Sequence, residues 1–60
     1  MEADLAYYRR RAAQEAAAAV AAPLGAVRDV HLELARRYDE RVACLEAERQ
    51  RADIHLVTAA

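Results

Sequence analysis

The chain has 60 residues, and its nine basic side chains, all arginine, oppose ten acidic ones to give a formal net charge of −1. Chains this short form one marginally stable domain. A single cysteine excludes an internal disulfide, and two distant histidines argue against a zinc framework. Balanced charge excludes the broad basic surface of most nucleic-acid binders. The sequence contains no Ser/His/Asp set, Gly-rich phosphate loop or spaced metal ligands. We therefore expect no enzymatic activity, no cofactor and no metal, and stability that depends on association.

The composition favours helix, because alanine occupies 17 positions and only one proline and one glycine interrupt the chain. Pro23 disfavours helix at the residue before it, and Gly25 suits a tight turn. The sequence predicts a single domain over residues 1–60, with a first helix at about 3–21, a turn at 22–25, a second helix at about 26–53 and a C-terminal tail at 54–60.

Small or apolar side chains recur at helical spacing in both helices. The inward stripe of the first helix comprises Leu5, Tyr8, Ala12, Ala16 and Ala19. The stripe of the second helix comprises Val27, His31, Leu34, Tyr38, Val42 and Leu45. Facing residues of an antiparallel pair have position numbers with a nearly constant sum, and these stripes pair with sums of 46 or 47 throughout. The predicted fold class is therefore all-α, an antiparallel αα-hairpin.

The second helix is longer than the first, and the first offers mostly alanine, which buries little area. Residues beyond about 45 have no partner within the hairpin. We expect a second copy of the chain to cover this surface in a four-helix bundle dimer. The predicted interface residues are Tyr8, Leu34, Tyr38, Val42, Leu45 and Leu56.

Three further side-chain predictions follow from the hairpin register and the chain end. His31 lies near Glu15, which predicts a polar contact that is either structural or pH-sensitive. Cys44 flanks the stripe, which favours a small buried or interfacial residue. Ala59 and Ala60 end an apolar tail that resembles C-terminal degrons of bacterial Clp-family proteases, and a frayed helix end is the alternative.

The segments YYRRRAAQEAAAA and VRDVHLELARRYDERV resemble a group of small uncharacterised helical-hairpin proteins of α-proteobacteria. The resemblance covers about two-thirds of the chain and is carried by Tyr8, Arg11, Ala12, Val27, Arg28, His31, Leu34, Ala35 and Tyr38. It implies a helical hairpin and a bacterial source, and it carries no assigned activity. In place of the Asp-Pro or Ser-Asp-Pro turn of such proteins, this chain has PLG.

The N-terminal MEAD lacks the basic start of a signal peptide, and the longest uncharged run has 12 residues, which predicts a cytoplasmic protein without a membrane span. The preferred function is a protein–protein interaction or regulatory module acting as a homo-oligomer. One alternative is an RNA-binding hairpin dimer similar in size and topology to the plasmid copy-number regulator Rop. Its candidate contacts are Arg9, Arg10, Arg11, Arg36 and Arg37. Another alternative is an adaptor that becomes ordered on a protein partner.

Overall fold

A computed structural model describes the backbone of residues 3–59 and the side chains of residues 3–54. This part of the chain is all-helical, with α1 spanning Asp4–Ala21 and α2 spanning Gly25–Ala59. The two helices pack against each other along the length of α1. Tyr8 contacts Tyr38 and Glu15 contacts His31, so the helices are antiparallel and the predicted αα-hairpin is confirmed.

The start and end of α1 follow from its sequence. Asp4 places an acidic side chain in the first turn, where it interacts favourably with the helix dipole. The helix ends at Ala21 because Ala22 precedes proline and adopts extended angles, φ −68° and ψ 127°. The N–H of Ala22 still donates to the carbonyl oxygen of Ala19 at 3.3 Å.

The bounds of α2 differ from the sequence prediction at both ends. Gly25 is the first helical residue, with a negative φ, and the N–H of Arg28 donates to the carbonyl oxygen of Leu24 at 3.0 Å. The helix continues to Ala59, six residues beyond the predicted end, so the segment predicted as a tail is helical. No glycine or proline follows Gly25, and residues 54–59 therefore contain no helix-stopping residue.

The interior of the hairpin is built from small side chains. Its buried residues, among the side chains described, are Ala12, Ala19, Ala35 and Glu15, with 6%, 1%, 7% and 8% of their surfaces exposed. Alanine at the contact allows the two backbones to approach closely, but it removes little apolar area from water.

Most residues of the predicted inward stripe are half-buried, but the prediction is wrong for two of them, which are exposed. The half-buried members are Leu5, Tyr8, His31, Leu34, Tyr38, Val42 and Leu45. Ala16 is exposed, and its neighbour Glu15 takes the buried position instead, because α1 presents 8, 12, 15 and 19 to α2. Val27 remains 40% exposed beside the turn, whereas the unpredicted Ala35 is buried.

Candidate functional site

One broad side of the hairpin, which we call the tyrosine face, combines aromatic, aliphatic and arginine side chains. Positions three and four apart share one side of a helix. The face therefore comprises Tyr7, Tyr8 and Arg11 of α1 and Val27, Val30, Leu34, Tyr38, Arg41 and Leu45 of α2. Arg11 lies over the ring of Tyr38, and Arg41 lies over the ring of Tyr8, so both helices contribute to the same side.

The centre of the tyrosine face is a cluster of rings covered by guanidinium groups. The ring centroids of Tyr8 and Tyr38 are 6.0 Å apart, and that of Tyr7 is 5.3 Å from Tyr8 in an edge-to-face arrangement. The Cζ atoms of Arg11 and Arg41 lie 5.2 and 5.8 Å from the centroids of Tyr38 and Tyr8. These distances are within the range of cation–π attraction. Tyrosine and arginine are also the residue types enriched at protein interfaces.

A shallow, open groove of about 380 Å³ lies on the surface of α2 at the outer edge of the tyrosine face. Its lining comes from α2 alone, with the apolar residues Val30 and Leu34 beside the charged residues Asp29, Glu33 and Arg37. Val30 is 58% exposed. An apolar lining beside charged residues suits an apolar side chain from another helix rather than a small polar substrate.

Glu15 connects the helices beneath the tyrosine face. Its Oε2 accepts a hydrogen bond from Arg11 at 2.7 Å, and its Oε1 lies 2.6 Å from Nδ1 of His31. The hydrogen bond from His31 lowers the pKa of the Glu15 carboxyl, and Arg11 adds to this effect, although burial opposes it. Because an ionised carboxylate only accepts hydrogen bonds, we assign the Nδ1 proton to His31. The structure thus contains the predicted polar contact.

Four of the six predicted interface residues, Tyr8, Leu34, Tyr38 and Leu45, lie on the tyrosine face. Val42 is half-buried and lies on the side of α2 that packs against α1. The side chains of Leu56 and Ala59, and the whole of Ala60, lie outside the described residues, so the contact and degron predictions at these positions stay predictions. Cys44 is a free thiol and is exposed rather than buried.

The arginines predicted as RNA contacts are distributed around the hairpin and interact with other side chains. Arg9 forms an ion pair with Glu46 across the two helices, on the side opposite the tyrosine face. Arg36 pairs with Glu33 at 2.5 Å and also with Glu40, and Arg37 pairs with Glu33 at 3.2 Å. Arg10 lies over Tyr7, with its Cζ 5.4 Å from the ring centroid. These guanidinium groups do not form one basic stripe.

Five residues of the tyrosine face are missing from the predicted interface: Tyr7, Arg11, Val27, Val30 and Arg41. The sequence does contain a signal for Arg41, since the spacing 34, 38, 41, 45 places it on the same side of α2 as Leu34 and Leu45. A charged side chain at such a position is ordinarily assigned to solvent. Its location over a tyrosine ring becomes visible only when both helices are in place.

Among the described residues, no group of three or more His, Cys, Asp and Glu side chains is arranged to hold a metal ion. Over the same residues, neither helix combines the length and the apolar character needed to cross a bilayer. Comparisons with protein-family models, curated protein sequences and solved structures found no match to this chain. The resemblance to α-proteobacterial hairpin proteins therefore stays a prediction.

Proposed function

We propose that this chain is a cytoplasmic, non-enzymatic protein–protein interaction module that acts as a homo-oligomer. Its tyrosine face packs against that of a second copy to form a four-helix bundle. The observation that carries this proposal is the composition of the interior. Among the side chains of residues 3–54, three alanines and one glutamate are buried, while the large apolar side chains remain half-buried or exposed.

The accessible area supports the need for a second copy. The chain exposes 4693 Å² and has a radius of gyration of 15.5 Å. A compact protein of this mass exposes about 3,900 Å², and one of this length has a radius of gyration of about 10 Å. The excess is on the order of 800 Å², which is the area that each partner buries in a standard protein interface.

The chemistry of the tyrosine face supports the same proposal. Its rings and leucines provide apolar area, and Tyr side chains contribute it at low conformational cost because they have few rotatable bonds. Arg11 and Arg41 are held in place over rings, so less of their rotamer freedom remains to be lost on association. The RNA-binding alternative has weaker support, since Arg9, Arg11, Arg36 and Arg37 already form ion pairs with carboxylates.

Sedimentation equilibrium of the full chain tests the proposal with a matched pair of variants. The wild type is expected at twice the monomer mass of 6.7 kDa. Leu34→Asp places a charge on the tyrosine face and is expected to give the monomer mass. Leu32→Asp introduces the same change on the other side of α2, where Leu32 is 50% exposed, and is expected to remain dimeric. A monomeric wild type at high micromolar concentration would overturn the proposal.

A further inference from the structure

We propose that the two copies pair antiparallel about a two-fold axis that crosses α2 between Asp39 and Glu40. Leu34 of one copy then lies opposite Leu45 of the other. This inference rests on the proposed self-association and adds its orientation and register, which the composition of the tyrosine face alone does not specify.

The spacing of positions along α2 favours an antiparallel pair. One series of positions along α2 comprises 27, 31, 34, 38, 41, 45, 48 and 52, and its spacings alternate between four and three residues. Val30, at the outer edge of the tyrosine face, lies outside this series. This series reads the same in both directions, with its centre between residues 39 and 40. An antiparallel pair with a two-fold axis at that centre therefore brings every position level with another position of the same series.

The side chains that meet across the two copies of α2 also favour the antiparallel pair. The antiparallel register pairs Val27 with Ala52, His31 with Glu48, Leu34 with Leu45, and Tyr38 with Arg41 of the second copy. Apolar side chains meet apolar ones, and a ring meets a guanidinium group, as Tyr8 already meets Arg41 within one copy. A parallel pair would instead place Arg41 against Arg41 and Glu48 against Glu48, and like charges at one level are destabilising.

The shorter helix supplies independent support for the same axis. Within the hairpin Tyr8 contacts Tyr38, so the level of residues 39–40 corresponds to about Tyr7 on α1. An axis through Tyr7 brings Asp4 to within one helical turn of Arg11 of the second copy, and these charges are opposite. Both helices therefore favour one antiparallel arrangement.

The arrangement also covers the part of α2 that α1 does not reach. Residues 46–52 of one copy lie along residues 27–33 of the other. Leu45 enters at the groove lined by Val30 and Leu34 of the second copy. The C-terminal part of α2 in one copy and the groove on α2 in the other copy then form one contact.

Distances between spin labels, measured by pulsed electron paramagnetic resonance on the dimer, test this pairing. Arg28→Cys and Arg51→Cys, each made in a Cys44→Ala background, place one label per chain at exposed positions equally far from the axis. With a rise of 1.5 Å per residue, both labels are expected to be separated by about 35 Å along the helix axis. A label on the native Cys44 is expected at about 14 Å along the axis by the same relation.

Each outcome of this experiment decides the pairing. Long and similar distances for Arg28→Cys and Arg51→Cys, with a short one at Cys44, support it. Short distances at all three positions indicate a parallel pair and overturn it. An antiparallel pair shifted by one heptad would make the two long distances differ by about 20 Å, which also overturns it. Sedimentation of the same labelled samples distinguishes the failure of self-association from the failure of the antiparallel pairing. A dimer with other distances contradicts only the pairing, whereas a monomer contradicts both proposals.

Discussion

The two broad sides of the hairpin are made from the same helices but differ in how far their large apolar side chains form a continuous surface. The side opposite the tyrosine face, which we call the opposite face, carries the ion pair between Arg9 and Glu46, together with Ala16 and Ala43. It also carries Val20 and Leu32, which are 88% and 50% exposed, and single exposed apolar side chains are normal on a surface in contact with water. The tyrosine face instead has contiguous rings, leucines and a groove. This difference is the basis for proposing the tyrosine face as the contact surface.

Among substitutions that distinguish the two faces, Leu45→Asp is expected to have the largest effect on assembly and helicity. This change places a carboxylate on the tyrosine face and should abolish assembly and much of the helicity, because a hairpin with an alanine interior has little stability alone. Circular dichroism and sedimentation check both results. Ala43→Asp, in the same helical turn on the opposite face, is the control and should retain both. If Leu45→Asp left the thermal unfolding curve and the sedimentation mass unchanged, the proposed difference between the two faces would be contradicted.

A second prediction concerns the contact between the helices rather than either face. Ala19 is 1% exposed, and Ala19→Leu should lower the free energy of unfolding by about 1–3 kcal/mol because the added atoms force the helices apart. Urea denaturation measures this change. Ala16→Leu, an identical change at an exposed position three residues earlier, should have an effect within about 0.5 kcal/mol. Equal losses from both variants would show that α1 is rotated relative to the described packing.

A third prediction uses Glu15, the buried carboxylate beneath the tyrosine face. His31 and Arg11 lower its pKa below the ordinary value of 4.5, so between the two values the folded chain binds fewer protons than the unfolded chain. Its contribution to stability is complete above the ordinary pKa and is lost as the pH falls through the lowered one. The melting temperature of the wild type should therefore decrease between about pH 5 and pH 3 more steeply than that of Glu15→Gln.

Glu33 provides the control for this titration. Its pKa is also lowered, mainly by the hydrogen bond from Arg36, but its side chain is 44% exposed and the pair is screened by water. Glu33→Gln should therefore retain most of the acid-dependent loss of stability that Glu15→Gln removes. Indistinguishable pH profiles for the wild type and Glu15→Gln would contradict the proposed role of the Glu15–His31 contact.

The smallest effect is expected from Arg9→Gln on the opposite face. It removes the ion pair with Glu46, in which both side chains are about half exposed. Such surface pairs contribute between about 0 and 1 kcal/mol, so the melt should move little and the mass should not change. A loss of dimer in this variant would mean that the opposite face also contributes to assembly.

The hairpin and its register are predictable from sequence because they depend on local signals. Pro23 fixes the end of α1, and the constant sum of facing positions aligns the helices before any contact is known. The contacts of Tyr8 with Tyr38 and Glu15 with His31 both conform to that sum.

The residues that the sequence did not predict are those whose environment depends on both helices together. The sequence predicts Ala16 in the inward stripe, but Arg11 and His31 satisfy the Glu15 carboxylate and make the buried position favourable for Glu15 instead. Arg41 carries a charge and reads as a solvent-facing residue until the ring of Tyr8 is placed beside it. The sequence predicts the end of α2 too early because no glycine or proline marks where this helix stops.

The concentration dependence of thermal unfolding tests the central claim, self-association through the tyrosine face, most directly. Circular dichroism of the full chain would be recorded over a hundredfold range of concentration. If folding requires a second copy, the melting temperature rises steadily with concentration, because mass action favours the associated folded state. A melting temperature that stays constant over that range would show that the hairpin is stable as a single chain, and it would contradict the account.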